Sequence, residues 1–247
     1  MIRGFLSGLW CYAEANRVVF KHKLWSYMLV PGALSLIYAV LVVLFGVAYL
    51  PDVAAYAEAN WIPQSALGGV LSFFTTLLLW LLLFVLGFMA YKHVVLIFFS
   101  PVLGYLSEVT EKAVTGQSPP DFDFKQLFKD IARSLKINLK NLALSLVFSV
   151  LAWLLVVIPL IGVVISAIAL FAIQAYYGGF GFIDITMERK RYSVPESFEF
   201  IRKRRGLVTG VGTGFLVLAL IPLFGWFIAP AYSAIAATLA ILREEQS

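Results

Sequence analysis

The 247-residue chain is 61% hydrophobic and 13% charged, against about 45–50% and about 25% for an ordinary soluble domain, and its formal net charge is only +5. This composition excludes a disordered chain, a nucleic-acid-binding domain and a disulfide-stapled secreted module, and a soluble fold would leave large apolar patches in water. The class it leaves is an all-α integral membrane protein. A lone cysteine, Cys11, cannot close an internal disulfide, and one Cys with two His (His22, His93) cannot build an ordinary structural zinc site.

Residues 1–23 lack the apolar core of a signal peptide. Arg3, Ser7, Glu14, Arg17 and Lys21 share one helical stripe, and Ile2, Phe5, Leu6, Leu9 and Ala13 another. The spacing predicts an amphipathic helix lying in the membrane interface. Leu24–Pro51 then has no acid or base except tyrosine, and Leu36–Leu50 is almost purely apolar. A helix of about 20 residues crosses the ~30 Å hydrocarbon layer, so a first span is expected, kinked or capped at Pro31-Gly32. Asp52–Ser65 is expected as an outside linker: it holds Asp52, Glu58, Trp61 and Pro63 but no Lys or Arg. Leu67–Tyr91 is the core of a second span. Beyond Lys92-His93 the run Val94–Leu106 continues it, kinks at Pro101 and leaves the membrane before Glu108.

Glu108–Lys140 is the long polar region. After the turn Ser118-Pro119-Pro120-Asp121, an apolar face of Phe124, Leu127, Phe128, Ile131, Leu135 and Leu139 opposes a basic face of Lys125, Lys129, Arg133, Lys136 and Lys140. Two charge-free stretches follow. Asn141–Ile183 is interrupted by Ile158-Pro159-Leu160-Ile161-Gly162, and Gly206–Leu242 by Ile221-Pro222-Leu223-Phe224-Gly225. Each reads as a helical hairpin with arms of about 16–20 residues, marginal for crossing and adequate for dipping in and returning. Pro101, Pro159, Gly162, Pro222 and Gly225 are the expected structural turns. The repeated Ile-Pro-Leu-x-Gly is either a common apolar turn or the trace of a duplication.

The expected organisation is a single domain, 1–247: an interfacial helix (1–23), two full spans (24–50 and 67–106), an amphipathic region (108–140), two partly penetrating hairpins (141–183 and 206–242) and a basic helix between them (184–205). Basic residues collect before the first span and in both polar regions, which places both termini on the cytoplasmic side.

Little enzymatic chemistry is available. There is no Ser/His/Asp set, paired-carboxylate constellation, phosphate loop or metal-ligand spacing, so no catalytic residue, metal or cofactor is assigned. Gly210-Val211-Gly212 has no strand before it, and a dinucleotide reading fails on context. Basic charge stands before two membrane-entering helices, at Lys21-His22-Lys23 and at Arg202-Lys203-Arg204-Arg205. Each cluster either orients the chain and attracts anionic lipid or, with a helix N-terminus, holds an anion. No Asp, Glu, Lys or Arg is expected deep in an apolar stretch, which argues against a pump or an ion-coupled symporter. Gln174, Thr75, Thr76, Ser145 and Ser149 are neutral candidates for lining a path, and Gln174 serves equally well as a helix–helix hydrogen bond.

Ser100-Pro101-Val102-Leu103-Gly104-Tyr105-Leu106-Ser107-Glu108, the turns at Ile158–Gly162 and Ile221–Pro230, and Phe200-Ile201-Arg202-Lys203-Arg204-Arg205 followed by Gly212 stand in an order and spacing that resembles the CysZ-type family of bacterial inner-membrane sulfate permeases, which shares a domain with the etoposide-induced membrane proteins of eukaryotes. The resemblance covers nearly the whole chain. It implies two full spans, two partly penetrating hairpins, a homo-oligomer in the bacterial inner membrane, and sulfate uptake for cysteine synthesis. Family members that handle sulfate carry paired arginines before the Pro of the first span, where this chain has Trp25 and Ser26, with Lys21 and Lys23 a turn earlier. After Asp184, where members often read Asp-Tyr-Pro, it has Ile185-Thr186.

The expected function is therefore a CysZ-like channel or permease passing a small oxyanion, sulfate first, without a coupled ion. Lys21, Lys23 and Ser26 would attract and desolvate the anion, with Arg202, Lys203, Arg204 and Arg205 adding field. The alternative is a non-transporting membrane scaffold of the same fold. Its partners would be lipid and protein, and it would be indifferent to sulfate.

Overall fold

A computed structural model describes residues 1–62, 67–116, 124–221 and 224–246, without the side chains of residues 89 and 124–131. It is all helix among the described residues: α1 (Ile2–Lys21), α2 (Trp25–Trp61), α3 (Gly68–Phe98), α4 (Ser100–Thr115), α5 (Phe124–Leu154), α6 (Gly162–Arg189), α7 (Val194–Lys203), α8 (Arg205–Ala219) and α9 (Phe224–Glu245), with one 3-10 turn at Leu155–Val157. Pro63, the turn Ser118–Asp121 and Pro222 lie outside the described residues, as do the side chains of the first two turns of the basic amphipathic face.

α2 and α3 form an antiparallel pair. Gly46 lies beneath the Trp80 ring and Leu83, Gly87 beneath Val42, and the Tyr38 hydroxyl donates to the Gly87 carbonyl at 2.7 Å. Over the middle of both helices the remaining faces present Leu, Val and Phe outward, a surface suited to lipid. α2 is 37 residues long, about 55 Å of helix, so it overshoots the hydrocarbon layer. The expected linker is thus helical as far as Trp61. Glu58 in its last turns accepts a hydrogen bond from Ser72 on α3.

The core sits elsewhere, around α9. Its alanines Ala229, Ala231, Ala234, Ala236, Ala237 and Ala240 are buried, and α1, α2, α4, α6 and α8 pack round it. Small side chains let these backbones close in. On α8, Gly206 and Gly210 approach the Met1 and Phe5 carbonyls of α1, while Gly212 faces Ala175 and Gly179 of α6. The glycine-rich run that fails as a nucleotide loop is a helix-packing surface.

Several expectations change. The second hairpin is largely sheathed by protein, because its residues are small enough to pack closely against the surrounding helices, while Val217, Leu220, Ile221 and Phe224 near its turn stay exposed. The amphipathic region and the first hairpin arm are one helix, α5, with no break at Asn141. α1 buries Gly8, Cys11, Ala15 and Val19, a stripe between the two that its charge pattern marked, and leaves Ile2, Leu6, Trp10 and Phe20 exposed. The second span ends at Phe98, and Pro101 sits in the first turn of α4, where its missing N–H has no intrahelical partner to lose.

The described residues flanking the repeated turn share their hydrogen bonds in both copies. Ile158 N–H donates to the Leu155 carbonyl and Ile221 N–H to that of Leu218, each at 3.0 Å, and the Gly162 and Gly225 N–H groups return to Ile158 and Ile221. A Cβ on Gly162 would meet the Leu155 oxygen at 2.2 Å, and one on Gly225 the Leu218 oxygen at 1.9 Å. Glycine is required in both places by close backbone approach.

Candidate functional site

α5 carries Ser134, Asn138, Asn141, Ser145 and Ser149 at steps of three and four residues, and all five are buried. They form a single polar stripe, roughly 22 Å long at 1.5 Å per residue. In a bundle this apolar, such a stripe needs partners, and it finds them on α3 and α6. Asn138 Nδ2 donates to the Leu96 carbonyl at 3.3 Å and to the Ser134 carbonyl at 3.0 Å. Gln174 Nε2 donates to Ser149 Oγ at 3.0 Å, and Gln174 Oε1 accepts from Lys92 Nζ. Gly178 and Gly181 keep the facing wall of α6 thin beside Lys92 and Leu96.

Lys92 is 3% exposed. The expectation that no ionisable group lies deep in an apolar stretch is therefore corrected. α3 continues through Lys92-His93, as the run beyond it implied, and carries Lys92 into the bundle, where Gln174 Oε1 accepts a hydrogen bond from the ammonium.

One end of the seam is ionic. Arg133 grips Asp184 in a two-pronged pair, Nη2 to Oδ1 at 3.0 Å and Nη1 to Oδ2 at 3.2 Å, and donates to Ser197 Oγ at 2.6 Å. Glu188 lies 3.7 Å from the same guanidinium. Asp184 is 1% exposed, so this pair joins α5, α6 and α7 through a desolvated contact.

Beside it, Ser107, Thr186 and Thr238 share hydroxyl hydrogen bonds of 2.8–3.2 Å across α4, α6 and α9. Arg189 pairs with Glu111, and Lys190 bridges Glu111 at 3.2 Å and Glu245 at 2.5 Å. Burial pushes the Glu111 carboxyl up, but hydrogen bonds and charge from Arg189 and Lys190 outweigh it and hold the group below its usual range. A carboxyl with a depressed folded-state pKa stabilises the fold above its unfolded value, and that contribution is lost as pH falls through the folded value. Thermal unfolding across pH should therefore show Glu111→Gln less stable than the parent at pH 7, the two curves converging on the acid side of the ordinary Glu range.

The sequence-derived candidates fall into separate places. Lys21, Lys23 and Ser26 are exposed around the α1–α2 bend, where Lys23 has φ 56° and the Ser26 hydroxyl donates to its carbonyl at 3.3 Å. Arg202, Lys203, Arg204 and Arg205 line a cavity of about 430 Å³ against Met1 and Gly4 at the other end of α1. The two clusters are thus about a helix length apart, roughly 25 Å. Arg204 pairs with Glu244, and Lys203 with Glu199 at 2.6 Å. Arg202 and Arg205 border a second cavity of about 420 Å³ with Tyr176 and Phe198. Thr75 and Thr76 are half-buried on α3, some 24 Å of helix from Lys92. Of the path candidates, Gln174, Ser145 and Ser149 lie on the seam. Ser134, Asn138 and Asn141 join them there without having been candidates. Their spacing stands in the sequence, but a division of the region before Asn141 separates Ser134 and Asn138 from Asn141, Ser145 and Ser149.

No three of His, Cys, Asp and Glu gather as metal ligands among the described residues. Among the described residues five helices are long and apolar enough to cross a bilayer, Trp25–Trp61, Gly68–Phe98, Ala132–Val157, Gly162–Arg189 and Phe224–Glu245, and they define a multi-pass α-helical membrane protein. The family model described as Sulfate transporter CysZ/Etoposide-induced protein 2.4 matches residues 11–230, and the chain belongs to that family.

Proposed function

We propose that this protein is a CysZ-like permease, not an enzyme, which passes a small oxyanion, sulfate foremost, down its gradient without a coupled ion. The observation that carries the reading is the polar seam of α5: buried hydroxyls and amides extend through most of a hydrocarbon thickness, one end is closed by the Arg133–Asp184 pair, and Lys92 places a cation on it beside Gln174. Family membership supports the substrate class. Arg133–Asp184 is already paired, so neither group is a free carrier for a co-transported ion. By the positive-inside argument both termini face the cytoplasm of a bacterial inner membrane, and the resemblance extends to homo-oligomers. Lys21, Lys23 and Ser26 would gather anions at the mouth, with Arg202 and Arg205 adding field.

A second reading, a membrane scaffold, is favoured by Ile2, Leu6, Trp10 and Phe20, which α1 leaves exposed to enter one leaflet. Labelled-sulfate flux into liposomes separates the two. Saturable flux, competed by selenate and lowered several-fold in Lys21→Ala/Lys23→Ala, is the expected result. Flux equal to that of empty liposomes, from protein shown to be folded and inserted, overturns the permease and leaves the scaffold.

A further inference from the structure

The interior basic side chains differ in their counter-charges. Arg133 has Asp184, Arg189 has Glu111, and Lys190 has Glu111 and Glu245. Lys92 is as deeply buried as any of them and has no carboxylate within 4.0 Å among the described residues. Its Nζ donates to Gln174 Oε1 and reaches the Gln174 carbonyl only at 3.5 Å. An ammonium has three donors, and burying a cation without a counter-charge is costly, so this arrangement is incomplete as a structural device.

A second group nearby is incomplete as well. Both Asn141 amide atoms, Oδ1 and Nδ2, are buried without a hydrogen-bond partner among the described residues. Asn141 stands on α5 between Asn138, which touches Leu96, and Ser149, which touches Gln174. α5 runs antiparallel to α6, as the Arg133–Asp184 and Ser149–Gln174 contacts require, so Asn141 falls in the stretch of seam that Lys92 and Leu96 span on α3. An ammonium with donor capacity to spare on α3 and an unpartnered amide on α5 therefore border one short length of the seam, at the thin wall made by Gly178.

From these observations we infer that Lys92 and Asn141 form an internal binding station for a single dehydrated oxyanion, with Gln174 and Ser149 holding the ammonium in place. This inference rests on the permease reading and deepens it by naming where in the membrane the substrate is held. The ligand class follows from the donors. An ammonium and a carboxamide N–H offer one positive charge and directional hydrogen bonds, which suit a tetrahedral oxyanion with several acceptor oxygens. The same ammonium repels sodium and potassium, so the station selects by sign as well as by shape. A divalent anion is only half neutralised there, which keeps it weakly held and able to leave.

The test uses the full chain in detergent and in liposomes, with Lys92→Met, Lys92→Gln and Lys92→Arg. Wild-type protein should gain thermal stability with added sodium sulfate beyond that with sodium chloride at equal ionic strength. Lys92→Met should fold at least as stably, since it removes a buried charge, and should lose both the sulfate-dependent shift and at least tenfold of the flux. Lys92→Gln should show the same losses and replaces the Met variant should that one not fold, and Lys92→Arg should keep the shift. Wild-type flux in a folded Lys92→Met or Lys92→Gln protein overturns the station and leaves the permease standing. No wild-type flux, but a sulfate shift abolished in Lys92→Met, supports the station and overturns the permease. Neither flux nor shift in the wild type overturns both.

Discussion

Asp184→Ala is expected to destabilise the protein by about 3 kcal/mol, the lower end of the range for breaking a buried pair, because it removes the two-pronged, 1% exposed partner of Arg133 and leaves only the longer 3.7 Å contact to Glu188. Removing one partner of a desolvated pair costs more than the pair contributes, since the remaining charge has lost both water and its neighbour. The double change Arg133→Met/Asp184→Leu should recover part of that loss, because an apolar pair of similar volume carries no desolvation penalty while Glu188 loses the Arg133 cation. Apparent unfolding free energies in detergent check this, and a double variant as unstable as the single one would show that the pair does not act as a unit. Flux adds a second readout. The pair stands about 15 Å along α6 from Gln174, at the end of the seam, so a stable double variant with reduced flux would place its field on the anion's route.

Gly212→Ala and Gly179→Ala should each cost at least the upper part of the ~1–3 kcal/mol typical of overpacking. A Cβ on Gly212 would stand 1.7 Å from the Ala175 carbonyl oxygen, and one on Gly179 would stand 1.9 Å from that of Val208. Both obstacles are backbone, so α6 and α8 must part to admit a methyl group, and α9 loses packing with them. Gly104→Ala is the control. It lies within α4 with nothing within 4 Å of its Cβ position, and helix propensity alone should make it neutral or stabilising by about 0.5–1 kcal/mol. The two costly substitutions address one contact, so their double variant should cost less than the sum of the singles. Thermal unfolding of the four variants in one detergent decides between these outcomes; equal stability of Gly212→Ala and Gly104→Ala would contradict the close crossing.

Much of the outline was legible in the chain itself. Leu24–Pro51 and Leu67–Tyr91 are charge-free and long enough to cross lipid, and α2 and α3 cover both. Pro159 and Gly162 end α5 and start α6 because Pro cannot continue a helix and Gly162 tolerates the Leu155 oxygen. The family could be recognised from the order of its turns. The candidate site was legible only in pieces. Gln174, Ser145 and Ser149 could be named as polar residues in apolar stretches, but Lys92 read as a boundary because the stretches on either side of it were counted separately.

Residue order alone determined that this is an all-α membrane protein, which follows from local hydrophobicity and backbone chemistry, and which family it belongs to, which follows from the order of its motifs. The tertiary structure decided which apolar helix faces lipid and which faces protein. Hydropathy marks both α3, whose apolar face stays open, and α9, whose alanines are enclosed, as able to cross a bilayer, and it carries no information about what lies alongside. It also took the tertiary structure to decide which charges find partners. Arg133 meets Asp184 fifty-one positions away and Lys92 meets Gln174 across eighty-two, and a pairing between distant positions is fixed by helix packing, not by spacing along the chain.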